Sequence, residues 1–501
     1  MRRLRLFGPV LCAAALAAAA SSAAERVHAA SAGQPALLGI WVPDAAPRRL
    51  LTSDGQPPPL TAQAAKLYDE RRQLLAHGDA SFDPTTWCAG PGMPRILTMQ
   101  YPFEIRADAK RVVFIHAWYR WFRVVDLGPG AVDPPLPLTM GFPVGHWEAD
   151  TLVIRTVGLI DTTVMDASGL PHSEQLTLTE RLHVGPDGRL EDRITIDDPQ
   201  NYTQPWETVL TFHRDARARV GDDVCPDRLA RGEPAERVPP AGAAQHPRPA
   251  RAAPGPLAGT AAIPEAGAAP GTPHLAGIWE PKIFGILVPG APLSAAGQEI
   301  VNRNAAAMQS GRIMQTAWVS CRPGAVSTMT MPREKIVILQ SADEVTLLFE
   351  MPRFVRRVRL NGTHPAKLEP SYAGDSVGHW EGGTLVVDSR GFNGLAELDA
   401  RGQPTSPKLH TVERFTPSAD GASIDIETTV EDPEYYTHPF VIKRSWKASA
   451  ARHPFEFDCM ENPRQEDFEN AYYIREQYRP VCMRVEGEGM APSKMVCGRK
   501  P

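Results

Sequence analysis

At 501 residues the chain is too long for one hydrophobic core and long enough for two domains. A composition of 43% hydrophobic and 22% charged residues is that of an ordinary globular protein. The formal charge of −5 supplies no basic footprint, which argues against nucleic acid as a partner.

The chain opens MRRLRLFGPVLCAAALAAAASSAAER, where arginines at 2, 3 and 5 precede an apolar run that ends in small residues. This pattern predicts an export signal over 1–24. Leu11 before Cys12 lacks the small residue a lipidation signal wants. No later segment offers about eighteen uninterrupted apolar residues, so a membrane span is not expected. The expectation is a mature protein in a periplasm or secreted.

Residues 25–228 read as a first β domain. LTAQAAKLYDERRQLL suggests a short helix, and strand and turn signals follow it. In TLVIRTV, LTLTERLHV, RLEDRITI and ETVLTFH, apolar and polar residues alternate at period two. GPDGR in this half, and SADGA and WEGGT in the second, carry hairpin-turn chemistry. Roughly eight short antiparallel strands per half predict a mainly β fold, a calycin-like β-barrel with a sandwich as alternative.

Residues 229–274, rich in Pro, Ala and Gly, read as a semi-extended linker. Beyond them the first half returns. VGHWEADTLVIRTVG at 144–158 reappears as VGHWEGGTLVVDSRG at 377–391, a displacement of 233 positions. LLGIWVP at 37–43 answers LAGIWEP at 275–281, and the segments 178–206 and 411–440 also correspond. Two copies are too few, and too long, for a solenoid. Residues 275–460 are therefore a second, homologous β domain, opening with the helical LSAAGQEIVNRNAAAMQ, and 461–501 a C-terminal tail. Each half is expected to fold by itself.

Six cysteines follow the export signal. Cys88–Cys225 and Cys321–Cys459 have nearly equal separations, so each domain is expected to tie an early loop to its end. Loops of this length make a disulfide worth about 4–5 kcal/mol in the chain-entropy account. Cys482 and Cys497 would close the tail. A zinc site would need CxxC or HxxxH spacing, which the chain lacks.

The candidate chemistry is carboxylate chemistry. Glu180 shares a strand face with Leu176, Leu178 and Leu182, and Glu413 with Leu409, Thr411 and Phe415. Asp198 and Asp432 continue the apolar faces of the next strands and precede Pro in DDPQNY and EDPEYY. An inward carboxylate is costly unless it is paired or used. Two readings follow: buried Arg123–Glu180 and Arg357–Glu413 ion pairs with turn-capping aspartates, or catalytic carboxylate pairs for acid–base work. His172 in GLPHSEQ and His364 in NGTHP each stand in one half only, and are candidate proton carriers. Trp147, Tyr202, Trp380 and Tyr436, with Arg123 and Arg357, are candidate pocket walls. No GxSxG, phosphate-binding glycine loop, HExxH or cofactor signature is present, so no metal or cofactor is expected.

VGHWEGGTLVVDSRGF, followed by ERF and EDPEYYTHPF, resembles an abundant, largely uncharacterised family of exported bacterial proteins. Its members commonly read GHSVGRWEGDTLVVDT, then PHS, ER and DP..YT.PW. The likeness covers most of both halves. Members carry HP and PHS histidine motifs in one domain, whereas here His172 keeps PHS in the first half and His364 keeps HP in the second. The resemblance implies divided labour or one degenerate copy. The expected function is a periplasmic lyase, isomerase or hydrolase acting on a small, largely apolar molecule. The alternative is a non-catalytic carrier of such a ligand.

Overall fold

The computed structural model describes residues 34–129, 136–215, 217–221, 223–236, 272–283, 287–324, 335–350, 353–454, 456, 459–461, 471–473, 475, 482–485 and 494–497. The expected export signal and most of the expected linker lie outside these residues. In the first half, nine strands succeed one another round a closed barrel. They are β1 (Gly39–Pro43), β2 (Phe103–Ala107), β3 (Arg111–His116), β4 (Phe122–Asp126), β5 (Phe142–Glu148), β6 (Thr151–Val157), β7 (Thr177–Val184), β8 (Leu190–Asp197) and β9 (Trp206–Arg214). β9 pairs back onto β1 and closes the ring.

The second half repeats this with β10 (Gly277–Pro281), β12 (Ile336–Gln340), β13 (Glu344–Phe349), β14 (Phe354–Leu360), β15 (Asp375–Glu381), β16 (Thr384–Arg390), β17 (His410–Pro417), β18 (Ser423–Glu431) and β19 (Phe440–Ala448). The short β11 (Ile313–Gln315) stands outside the barrel and pairs with β20 (Ala471–Tyr473) from the tail. Strand direction alternates round each ring, and an odd number of strands cannot alternate completely. One parallel pair is therefore forced in each barrel: β4 with β5, and β14 with β15. The barrel form holds, with one exception in each barrel to the expected antiparallel pairing.

Side chains fill both interiors. Trp41, Phe103, Leu178, Leu182, Ile194 and Phe212 belong to the first core, and Phe349, Phe354, Leu385, Phe415, Ile426 and Trp446 to the second. Helices Ala62–Ala76 and Ala295–Gln309 are N-capped by Thr61 and Ser294, whose hydroxyls accept from Ala64 N and Gly297 N. Among the described residues no helix is long and apolar enough to cross a membrane.

Disulfides join Cys88 to Cys225 and Cys321 to Cys459, with sequence separations of 137 and 138 residues. β21 (Cys482–Val485) and β22 (Lys494–Cys497) pair with Cys482 opposite Cys497, but their side chains lie outside the described part. The first domain continues past 228. Ala235 is buried, its carbonyl accepts from Trp118 Nε1, and Glu236 pairs with Arg95.

The barrels are packed against each other. Val113, Ile115 and Val124 of the first meet Ile278, Val337, Leu339 and Leu348 of the second in one buried apolar cluster. Ion pairs frame the seam: Arg106 lies 3.0 Å from Glu344, and Arg357 pairs with Glu104. Arg322 bonds Asp227 at 2.6 Å, and Tyr119 donates to the Cys321 carbonyl at 2.8 Å. These contacts oppose the expectation of self-sufficient halves. Strands such as IVILQ and RVVFIH are buried on both faces, one in a barrel and the other in the seam.

Candidate functional site

The inward carboxylates come first. Glu180, fully buried, accepts from Arg123 Nη1 at 2.8 Å, and Arg123 Nη2 bonds its other oxygen and Thr156 Oγ1. In the second barrel the partner of Glu413 is Arg356, which also bonds Ser376 and Ser389. The expected Arg357–Glu413 pair is corrected: Arg357 faces the seam and bonds Glu104. Val355 stands on the face of Arg357 and Val358 on the face of Arg356, so apolar alternation in the sequence carries no phase there. The repeat displacement of 233 does carry it, since it maps Arg123 onto Arg356 and Glu180 onto Glu413. Both pairs have the same separation, 57 residues.

Asp198 receives Ser173 N and Oγ, each at 2.7 Å, and Asn201 Nδ2 at 2.9 Å. Asp432 receives Ser406 N and Oγ at 2.6 and 2.7 Å. These bonds commit both aspartates to tying the Asp-Pro turn to the loop before β7 or β17. No hydrogen bond or ion pair joins them to Glu180 or Glu413 among the described residues, so the expected carboxylate pairs are not assembled. His172 is buried, with Nε2 2.8 Å from Thr163 Oγ1, and burial holds its basicity below the ordinary histidine value. The Tyr202 and Tyr436 hydroxyls donate to the Pro171 and Pro404 carbonyls at 2.8 and 2.9 Å. Trp147 and Trp380 pack, half-buried, onto the two cores. In both barrels these four aromatic residues belong to the packing.

His364 leads elsewhere. Antiparallel neighbours bring the start of β15, the end of β16, the start of β17 and the end of β18 to one rim of the second barrel, with His364 in the loop ahead of β15. Its Nδ1 is 2.6 Å from Asp375 Oδ2 and its Nε2 is 2.8 Å from Asp388 Oδ1. The other Asp388 oxygen is 2.8 Å from His410 Nε2, whose Nδ1 lies 3.4 Å from Glu431 Oε2. Arg390 Nε donates to Asp388 at 3.1 Å, and Arg359 grips Asp375 with two bonds of 2.7 and 2.9 Å.

Burial is the largest influence on Asp388 and pushes its pKa up. Hydrogen bonds from His410, Arg390 and His364 outweigh it and bring the pKa down to about 2. Asp375 is also lowered: burial raises it, but Arg359 and His364 prevail. Asp388 is thus an anion at neutral pH and accepts a hydrogen bond from His410 Nε2, while His410 Nδ1 faces Glu431 at 3.4 Å, a longer contact than either carboxylate contact of His364. With carboxylates at both nitrogens, His364 has neither one left for a ligand. It positions Asp388.

His410, Glu431 and Arg390 line a cleft of about 670 Å³ on this rim, with Leu368, Phe392 and Pro407 among its walls. Among the described residues the first barrel has no such set. The register equivalents of Asp375, Asp388 and His410 are Phe142, Arg155 and Thr177. Sequence reasoning found His364 and missed Asp375, Asp388 and His410. The signal was in the copies: TLVVDSR against TLVIRTV and LHTVER against LTLTER each gain one ionisable residue.

The first barrel has its own departure. Asp192 points inward on β8, fully buried, in the place that Ile426 occupies in the second barrel. Its Oδ1 has no hydrogen-bond partner. Burial first, and then the neighbouring Glu180 charge, hold its pKa well above the ordinary value, against the pull of Arg123. Arg123 already binds both Glu180 oxygens, so the proton belongs to Asp192.

No family model matches the chain, and no curated protein matches it either. Among the described residues no group of three or more His, Cys, Asp or Glu side chains is arranged to hold a metal ion.

Proposed function

We propose that the protein is an acid–base enzyme of the lyase, isomerase or hydrolase type, acting on a small, largely apolar molecule in the rim cleft of the second barrel. One observation carries this reading. His410 lines the cleft, and its Nε2 is held by an ionised Asp388, itself fixed by His364 and Arg390. That is the orientation a histidine general base needs. Glu431, 3.4 Å from Nδ1 and half exposed, is a second carboxyl able to exchange a proton with it. The barrel interiors support a locking role instead, since Glu180 and Glu413 are sealed from solvent and paired. The two disulfides favour an oxidising compartment, and with the arginine-led N-terminus they support a periplasmic or secreted location. The family resemblance points the same way.

The second reading is a carrier, favoured by the apolar walls Leu368, Phe392, Pro407 and Leu409. A small-molecule thermal-shift screen of the full chain, followed by incubation of the hits in D₂O with NMR detection, separates the two readings. The enzyme reading expects product or deuterium incorporation, with His410→Asn about 100-fold or more slower and folded as wild type. Hits that bind the cleft and stay unchanged would establish the carrier instead.

A further inference from the structure

We propose that Arg390 anchors a carboxylate on the molecule that occupies the cleft, so that the ligand class is a small aryl or alkyl carboxylic acid. This rests on the acid–base reading of the same cleft. Arg390 closes β16 at the rim, and its side chain is 54% exposed. Its Nε is tied to Asp388 Oδ1 at 3.1 Å. Neither terminal nitrogen has a partner among the described residues. A guanidinium held through Nε keeps its two outer N–H groups in a fixed fork, and that fork matches a carboxylate with two parallel hydrogen bonds.

The surroundings favour the same charge. Lys408 also lines the cleft, 67% exposed, with Nζ 3.5 Å from Glu434. Glu431 is the one acidic side chain in the lining, and it faces His410 Nδ1. The walls between these charges are Leu368, Phe392, Pro407 and Leu409, which suit an apolar body.

Arg390 and His410 bind opposite oxygens of one carboxylate, Asp388. A ligand gripped by Arg390 therefore lies on the same rim as His410. The carboxylate itself takes no part in the bond changes and serves as the handle.

The test uses the full chain and a series of acids from acetate to 3-phenylpropionate and 5-phenylpentanoate, each beside its neutral amide, titrated by calorimetry. The acids with phenyl groups should bind about 10- to 100-fold more tightly than their amides. Arg390→Gln should erase that difference, and Arg390→Lys should restore part of it. His410→Asn should leave it intact. Equal binding of acids and amides, acid binding unaffected by Arg390→Gln, or no binding by any acid of the series would each overturn the proposal. If the acids bind through Arg390 but no hit is turned over through His410, the acid–base reading fails and the anchor stands.

Discussion

Replacing Asp192 should improve the fold. It is a fully buried carboxyl with an unpartnered oxygen beside an ion pair that is complete without it. Leaving such an atom unsatisfied costs about 1–3 kcal/mol. The pH dependence adds to this. Its native pKa is raised above the ordinary 3.8, so the folded chain keeps a proton that the unfolded chain releases. The unfolded state then binds fewer protons, and stability falls as pH rises through the interval between the two pKa values. The slope is at most about 1.4 kcal/mol per pH unit. Below the ordinary aspartate pKa both states are protonated and the effect vanishes. Asp192→Asn keeps the shape and removes the titration, so its advantage over wild type should grow as pH rises above the ordinary aspartate pKa. Asp192→Ile copies the second barrel's own solution at Ile426. Urea unfolding at half-unit pH steps measures both. A variant no more stable than wild type at pH 8, with an unchanged pH profile, would show that Asp192 is not held protonated and unpaired.

The seam and the buried pairs are equally testable. Expressed alone in an oxidising host, residues 272–501 would expose Ile278, Val337, Leu339 and Leu348, each now at most 3% accessible. At about 1.5–3 kcal/mol per side chain the loss rivals a whole domain's stability, so the fragment should bind a hydrophobic dye and melt far below the intact chain. A dye-free fragment with an unchanged melting temperature would restore self-sufficient halves. Arg356→Met should cost about 3–5 kcal/mol by stranding the buried Glu413, whereas Arg357→Met should cost less because Glu104 keeps Arg106. Equal losses in chemical denaturation would contradict that assignment.

The strand pattern, the turns, the cysteine spacing and the repeat were legible because each depends on local periodicity or on a comparison of the two copies. Glu180 and Glu413 were recognised as inward because their strands have one buried and one wet face. The same rule lost the arginine of the second barrel, where Val355 and Val358 put one apolar neighbour on each face beside Arg357 and Arg356. His364 was visible as an isolated histidine, but nothing local joined it to Asp375, Asp388 and His410. Those four stand on three strands and a loop, and closure of the barrel puts them on one rim.

The amino-acid order by itself determined two homologous β domains and their disulfide pairs, since side-chain alternation and cysteine spacing survive in one dimension. Tertiary structure alone decided the strand count, the parallel seam, the partner of Glu413 and the packing of barrel on barrel. These depend on which face of an all-apolar strand meets which neighbour, and such a strand is apolar on both faces.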